Sequence, residues 1–168
     1  MEDALRVLDG WDPVVQAIVR ATPPDKLVDW KLVYRDPLPT WISPRSRIAL
    51  IGDAAHPFLP TSIQGASQAM EDGTTLAICL ELSGKDDAPI ALKAYEKMRY
   101  ERVRKAQKTG ETTRDKWHKA DFDRVKENPT LVKLPREPWL LNHDAEAHTY
   151  AVYAATVAEL VGKSRASI

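Results

Sequence analysis

One unbroken stretch constrains this chain more than any other: Arg47 to Gly73, reading RIALIGDAAHPFLPTSIQGASQAMEDG. Its opening residues Ile48, Ala49, Leu50 and Ile51 form a short apolar run closed by a turn signal, which reads as a buried strand. Gly52-Asp53 turns the chain sharply, and Pro57 and Pro60 stiffen the loop that follows. From Gly65, the recurrence of Ala66, Ala69/Met70, Gly73, Leu76/Ala77 and Leu80 predicts a helix with that side buried. Asp53, a carboxylate at the end of a strand, stands where open α/β sheets bind their ligands. A helix starting at Gly65 has unpaired N–H groups and partial positive charge in its first turn, which favours an anionic or electron-rich ligand edge. Gly65 and Ala66 are small enough for a flat ligand to approach the backbone. An ordinary strand-to-helix connection, with Asp53 merely capping a turn, fits the same pattern.

The stretch GDAAHPFLPTSIQGASQAMEDG resembles the second flavin-binding signature of the FAD-dependent aromatic hydroxylases, the family of salicylate hydroxylase and para-hydroxybenzoate hydroxylase. The resemblance implies FAD as cofactor, held by Gly52, Asp53, Pro60, Gln64, Gly65, Ala66 and Ser67. Asp53 would take a hydroxyl of the ribityl or pyrophosphate region, and Pro60 would lie by the isoalloxazine. The amides of Gly65, Ala66 and Ser67 would meet the pyrimidine edge. It also implies NAD(P)H as reductant, O₂ as oxygen donor, and an aromatic or polyketide-like small molecule as substrate, with no side chain here required as a general base. The implied fold is the C-terminal part of an α/β, Rossmann-like FAD-binding monooxygenase, mainly α with a few short β-strands. Ser62 departs from the pattern, since several relatives have glycine there.

Composition excludes some alternatives. The 24 basic and 24 acidic residues cancel, so no global field draws the chain to nucleic acid or an anionic membrane. No apolar run is long enough for a membrane span and no signal peptide is legible, so a cytoplasmic location is expected. The single cysteine, Cys79, sits in the apolar helix and reads as a buried structural thiol.

Around the central stretch, Asp12 as cap and Pro13 in the first turn predict a helix that Pro23-Pro24 ends. Val28, Trp30, Leu32 and Tyr34 alternate as in a strand. By the resemblance, residues 1–36 are the end of a substrate domain, and 37–168 are the C-terminal part of the FAD-binding domain with trailing helices. Trp30 and Trp41 could pack in the core or line a substrate pocket. Ser83-Gly84 stops the central helix, and a second one starts near Pro89 and runs toward His118, with Leu92, Tyr95, Met98/Arg99, Arg102/Val103 and Ala106 inward. Its Lys93–Lys108 segment is strongly basic: a solvated face with a Lys97–Glu101–Lys105 ladder is the plain expectation, and attraction of phosphate or NAD(P)H the alternative. Residues 120–138, broken by Pro129, Pro135 and Pro138, read as loop, and Trp139-Leu140-Leu141 as an apolar anchor. Asp144 caps a last helix with Ala147, Tyr150/Ala151, Ala154, Val157/Ala158 and Val161 on one side. His143, Asp144, Glu146 and His148 match no metal-ligand spacing, and His56 reads as a turn-stabilising histidine.

No G-x-G-x-x-G fingerprint occurs among the glycines, and this loop normally cradles the FAD pyrophosphate. The chain therefore corresponds to well under half of a family member. FAD should bind weakly, and the Ile48–Ile51 strand, without sheet neighbours, should favour self-association or a complementing N-terminal chain. A non-redox descendant remains the second functional class: a cofactor-free isomerase or cyclase, or a binding partner.

Overall fold

The computed structural model describes residues 1–31, 33–134 and 137–166, side chains of 163–166 excepted. Two compact units form, 1–32 and 33–168. In the first, α1 (Glu2–Val7) precedes α2 (Pro13–Ala21). Asp12 Oδ1 accepts from the Val14 N–H at 2.8 Å, and Pro13 opens the helix, as the sequence pattern requires. No residue of either helix is buried. The strand expected from Val28 to Tyr34 does not form: the segment is irregular, and Val28 and Trp30 stand in solvent. A strand alone leaves its backbone groups unpaired, so alternation without a neighbour makes no sheet. Leu32, counted in that strand, lies outside the described residues.

The second unit is a helical assembly. Helix α3 (Gly65–Ser83) packs against the long α4 (Ala88–His118), and α7 (Ala145–Ala166) packs on both. Between α4 and α7 lie α5 (Phe122–Glu127), a 3₁₀ turn (Pro129–Val132) and α6 (Pro138–Leu141). The loop expected over 120–138 is therefore partly helical. Asp121 accepts from the amides of Asp123 and Arg124, and Asn128 from that of Thr130, so α5 and the 3₁₀ turn each carry a side-chain cap, which α6 lacks. Pro135 lies outside the described residues. Asp144 caps α7 by accepting from Ala147 at 2.9 Å.

The expected strand at Ile48–Ile51 is corrected too. Those residues form one arm of a small hairpin closed by Ser43–Ser46, and β pairing among the described residues is a single antiparallel bridge, Ile42 to Ala49. The Ser43 N–H donates to the Ile48 carbonyl, and the Leu50 N–H to that of Trp41, both at 2.9 Å. Ile48 and Ile51 are exposed rather than buried, because no second strand covers that arm. Trp41 is core, stacked among His56, Tyr95 and Tyr100. Around it gather Ile42, Ala55, Cys79, Leu92 and Val103.

Candidate cofactor cleft

The site begins at Gly52. With φ +56° it occupies a backbone region that side chains avoid, and a Cβ there would approach the Ala69 Cβ to 3.2 Å. The 3₁₀ turn Gly52–Ala54 follows, and both Ala55 and His56 donate to the Gly52 carbonyl at 2.9 Å. Asp53 is thereby lifted out of the turn with an exposed carboxylate that accepts no protein hydrogen bond among the described residues. Downstream, Pro60–Ser62 makes a second 3₁₀ turn. Ser62 Oγ donates to the Leu59 carbonyl at 2.8 Å and accepts from the Gln64 N–H at 3.2 Å. The side chain that departs from the family pattern thus closes the loop on itself.

Gln64 is the N-cap of α3 and offers no side-chain bond to it. The amides of Gly65, Ala66 and Ser67 have no acceptor one turn back and take none elsewhere among the described residues. Asp53, Phe58, Pro60, Gln64, Gly65, Ala66 and Ala69 line one cleft of 590 Å³, within the usual range of small-molecule sites. A Cβ on Gly65 would come to 3.4 Å from the Phe58 Cβ, so the glycine keeps the cleft wall low. Of the residues singled out from the sequence, Asp53, Pro60, Gln64, Gly65 and Ala66 meet here. Gly52 lies buried behind the turn, and Ser67 sits on the first turn of α3 outside the lining. A smaller hollow of 270 Å³ shares Ser62, Ile63 and Gln64 with the cleft and continues between Thr109, Thr113 and Leu140.

Behind the cleft lies a buried ionic cluster that sequence reading missed. Asp72 accepts from the Gly52 N–H at 3.0 Å, His56 Nε2 at 2.6 Å and Arg99 Nε at 2.9 Å. With Nδ1 of His56 unpartnered, the ring serves as an Nε2–H donor. Arg99 also donates to Glu71 and to Gln68, while Arg102 grips Glu71 with two nitrogens at 2.7 and 2.8 Å. Burial pushes the Asp72 carboxyl up, but the hydrogen bonds from His56, the Gly52 amide and Arg99 outweigh it and hold it below the usual carboxylate value. Glu71 is likewise held low, with Arg102 and Arg99 overcoming its burial. His56 ties the Gly52 turn to α3: its amide donates to the Gly52 carbonyl and its ring to Asp72, sixteen positions on inside the same motif. Cys79 is fully buried, and burial pushes its thiol up to about 12, consistent with a structural residue.

A cofactor with hydroxyls and an electron-rich ring edge fits the groups present: an unpartnered carboxylate, unpaired amides at a helix start, and a wall kept low by glycine. Comparison with known proteins agrees. Residues 43–109 match the model of an FAD binding domain. The chain is 41% identical over 157 residues to the FAD-dependent monooxygenase fsr3 of Gibberella fujikuroi, covering 94% of this chain and 30% of that protein. It is 41% identical to the FAD-dependent monooxygenase dmxR9 of Cryptosporiopsis, covering 96% and 31% respectively. The crystal structure of FqzB superposes with TM-score 0.85 at 41% identity, over 96% of this chain and 38% of that one. CtdE, solved in complex with FAD and a substrate, superposes with TM-score 0.68 at 42% identity, over 76% and 30%. The expected mainly helical content is matched, while the expected short strands reduce to one bridge among the described residues. Among the described residues no helix is long and apolar enough to cross a membrane. The chain spans roughly one-third of the length of the FAD-dependent monooxygenases it matches.

Proposed function

We propose that the 590 Å³ cleft holds the flavin end of FAD, and that the chain acts as part of an FAD-dependent monooxygenase. One observation carries this: an unpartnered carboxylate, Asp53, lines the same cleft as Gly65 and Ala66, whose amides are free. The Asp53 carboxylate would accept a hydrogen bond from a ribityl hydroxyl. The amides of Gly65, Ala66 and Ser67 would donate to the carbonyl edge of the ring, and the positive end of α3 would favour added negative charge there. Pro60 and Phe58 wall off water. Bound flavin would supply the redox chemistry, taking hydride from NAD(P)H and activating O₂. The substrate is a small aromatic or polyketide-like molecule, and the hollow between Ser62 and Leu140 offers a place beside the ring. A relative of Petromyces alliaceus named asperlicin C monooxygenase, and the substrate complex of CtdE, support small-molecule oxidation. Residues 1–36 are assigned to the end of a substrate domain, and the remainder to the FAD-binding domain.

FAD affinity tests the proposal directly. Titration of FAD fluorescence should show saturable quenching, and Asp53→Ala should weaken it. A hydrogen bond to a charged group contributes about 1.5–3 kcal/mol, so the loss should be about tenfold to a hundredfold. Unquenched FAD, or an Asp53→Ala variant that binds like the parent, would refute the assignment.

A further inference from the structure

A second cleft, of 770 Å³, opens between α4 and the α6–α7 connection and shares no lining residue with the one at Gly65. Four cations of α4 reach it, and they differ in what neutralises them. Arg102 is committed to Glu71 and to the carbonyls of Trp139 and Leu140. Arg104 pairs with Asp36 and Glu111. Lys105 has no carboxylate: its Nζ sits 3.9 Å from the ring centroid of Trp139. Lys108 has no partner among the described residues. Glu101 is the sole carboxylate in the lining. On the facing wall the rings of His143 and His148 lie 5.1 Å apart, and His143 Nε2 is 3.9 Å from Glu71. Burial first, and then the charge of Arg102, draw the His143 pKa down despite Glu71.

We infer that this cleft binds the phosphate group of a small molecule, with Lys105 and Lys108 as the ionic donors and His143 and His148 as ring N–H donors. A single carboxylate would leave one ammonium uncompensated, whereas a phosphate dianion balances both. Lysine presents a compact charge suited to phosphate, and its contact with an aromatic face is weak enough for an arriving anion to replace. The volume admits more of the ligand than the phosphate alone. The basic run of α4 is accordingly not a uniform solvated ladder: Lys97 leaves it for Glu159 of α7, and Lys105 and Lys108 turn to the cleft.

The experiment titrates the chain with inorganic pyrophosphate at fixed pH and ionic strength. The ring signals of His143 and His148 are followed by NMR, each assigned by its Gln variant. Both should shift saturably, and Lys105→Ala or Lys108→Ala should each weaken binding about tenfold, while Lys108→Arg should retain most of it. Lys105 and Lys108 are exposed, so these variants test binding rather than folding. Asp53→Ala should leave the titration unchanged, which separates failure here from failure of the flavin assignment. Shifts that a matched chloride titration reproduces, affinity unaltered in both lysine variants, or equal binding of benzoate would each overturn the inference.

Discussion

Asp72 is fully buried and carries a charge, which a protein tolerates only when donors surround it. Gly52, His56 and Arg99 supply three, and two of those belong to the turn that lifts Asp53 into the cleft. Asp72→Asn keeps the size but leaves Arg99 with less compensation and forces an amide against donors. Breaking a buried ion pair from one side costs about 3–5 kcal/mol, so the variant should show a lower urea midpoint and weaker FAD quenching. Acid provides an independent check. The folded pKa of Asp72 is depressed, so its contribution is complete above the ordinary value of 3.8 and disappears as pH falls through the lower folded value. The stability gap between parent and Asp72→Asn should therefore be constant from pH 7 to about 5 and shrink below pH 3.8. A gap independent of pH down to acid unfolding would show that the carboxylate charge is not what the cluster uses. None of this was legible at the residue level, although a signal existed. Gln68, Asp72, Thr75 and Cys79 recur at helical spacing, a polar-to-small stripe that would be wasted on a solvent face.

At the scale of elements, the helices themselves were legible because their stops and starts are local: Gly84 ends α3, Pro89 sits in the first turn of α4, and Asp144 caps α7. Orientation was not always so. The inward stripe of α4 is as its periodicity predicts, with Leu92, Tyr95, Arg99, Val103 and Ala106 buried. Helix α3 is rotated: Met70 and Leu80 face solvent while Gln68 and Asp72 face inward, because Arg99 and Arg102 on α4 demand carboxylates opposite them. Helix α7 turns Thr149 and Thr156 inward and leaves Tyr150 and Val161 exposed. Thr149 Oγ1 donates to Ala145 of its own helix and meets Thr75 Oγ1 of α3, a small polar contact that lets the helices approach. Close approach also fixes the cleft turn on α4. A Cβ on Gly110 would lie 2.7 Å from the Ser62 Cβ and 3.2 Å from its backbone, and Thr61 Oγ1 donates to the Gly110 carbonyl at 2.9 Å. Gly110→Ala must push the Pro60–Ser62 turn away, at a cost of about 1–3 kcal/mol for overpacking. Gly73→Ala, inside α3 with nothing within 4 Å, should instead gain about 0.5–1 kcal/mol. Thermal midpoints should move in opposite directions, and FAD affinity should fall only in the first variant.

For the whole molecule, the residues that line the cleft proposed for the flavin could be grouped from the sequence because they are contiguous: one stretch carries the carboxylate, the turn and the helix start. The second cleft was not, since α4 and the α6–α7 connection meet there only through folding. The same asymmetry separates the two units. Among the described residues, every buried core residue, from Trp41 to Leu140, belongs to 33–168, whereas 1–32 exposes Trp11, Val14, Ile18, Val28 and Trp30. Burial of apolar area is the main source of stability, so the cooperative unit is 33–168. A chain of residues 33–168 should keep the thermal midpoint of the full chain within a few degrees and retain both FAD quenching and the pyrophosphate response. Residues 1–32 alone should show little stable helix, since neither α1 nor α2 exceeds 9 residues and neither buries a side chain. Ile48 and Ile51 stay exposed in the shortened chain, so sedimentation should report any association unchanged by the deletion and reduced by Ile48→Lys, which charges the open edge. Loss of cooperative unfolding on removing 1–32 would mean that this segment contributes stability its exposed side chains do not explain.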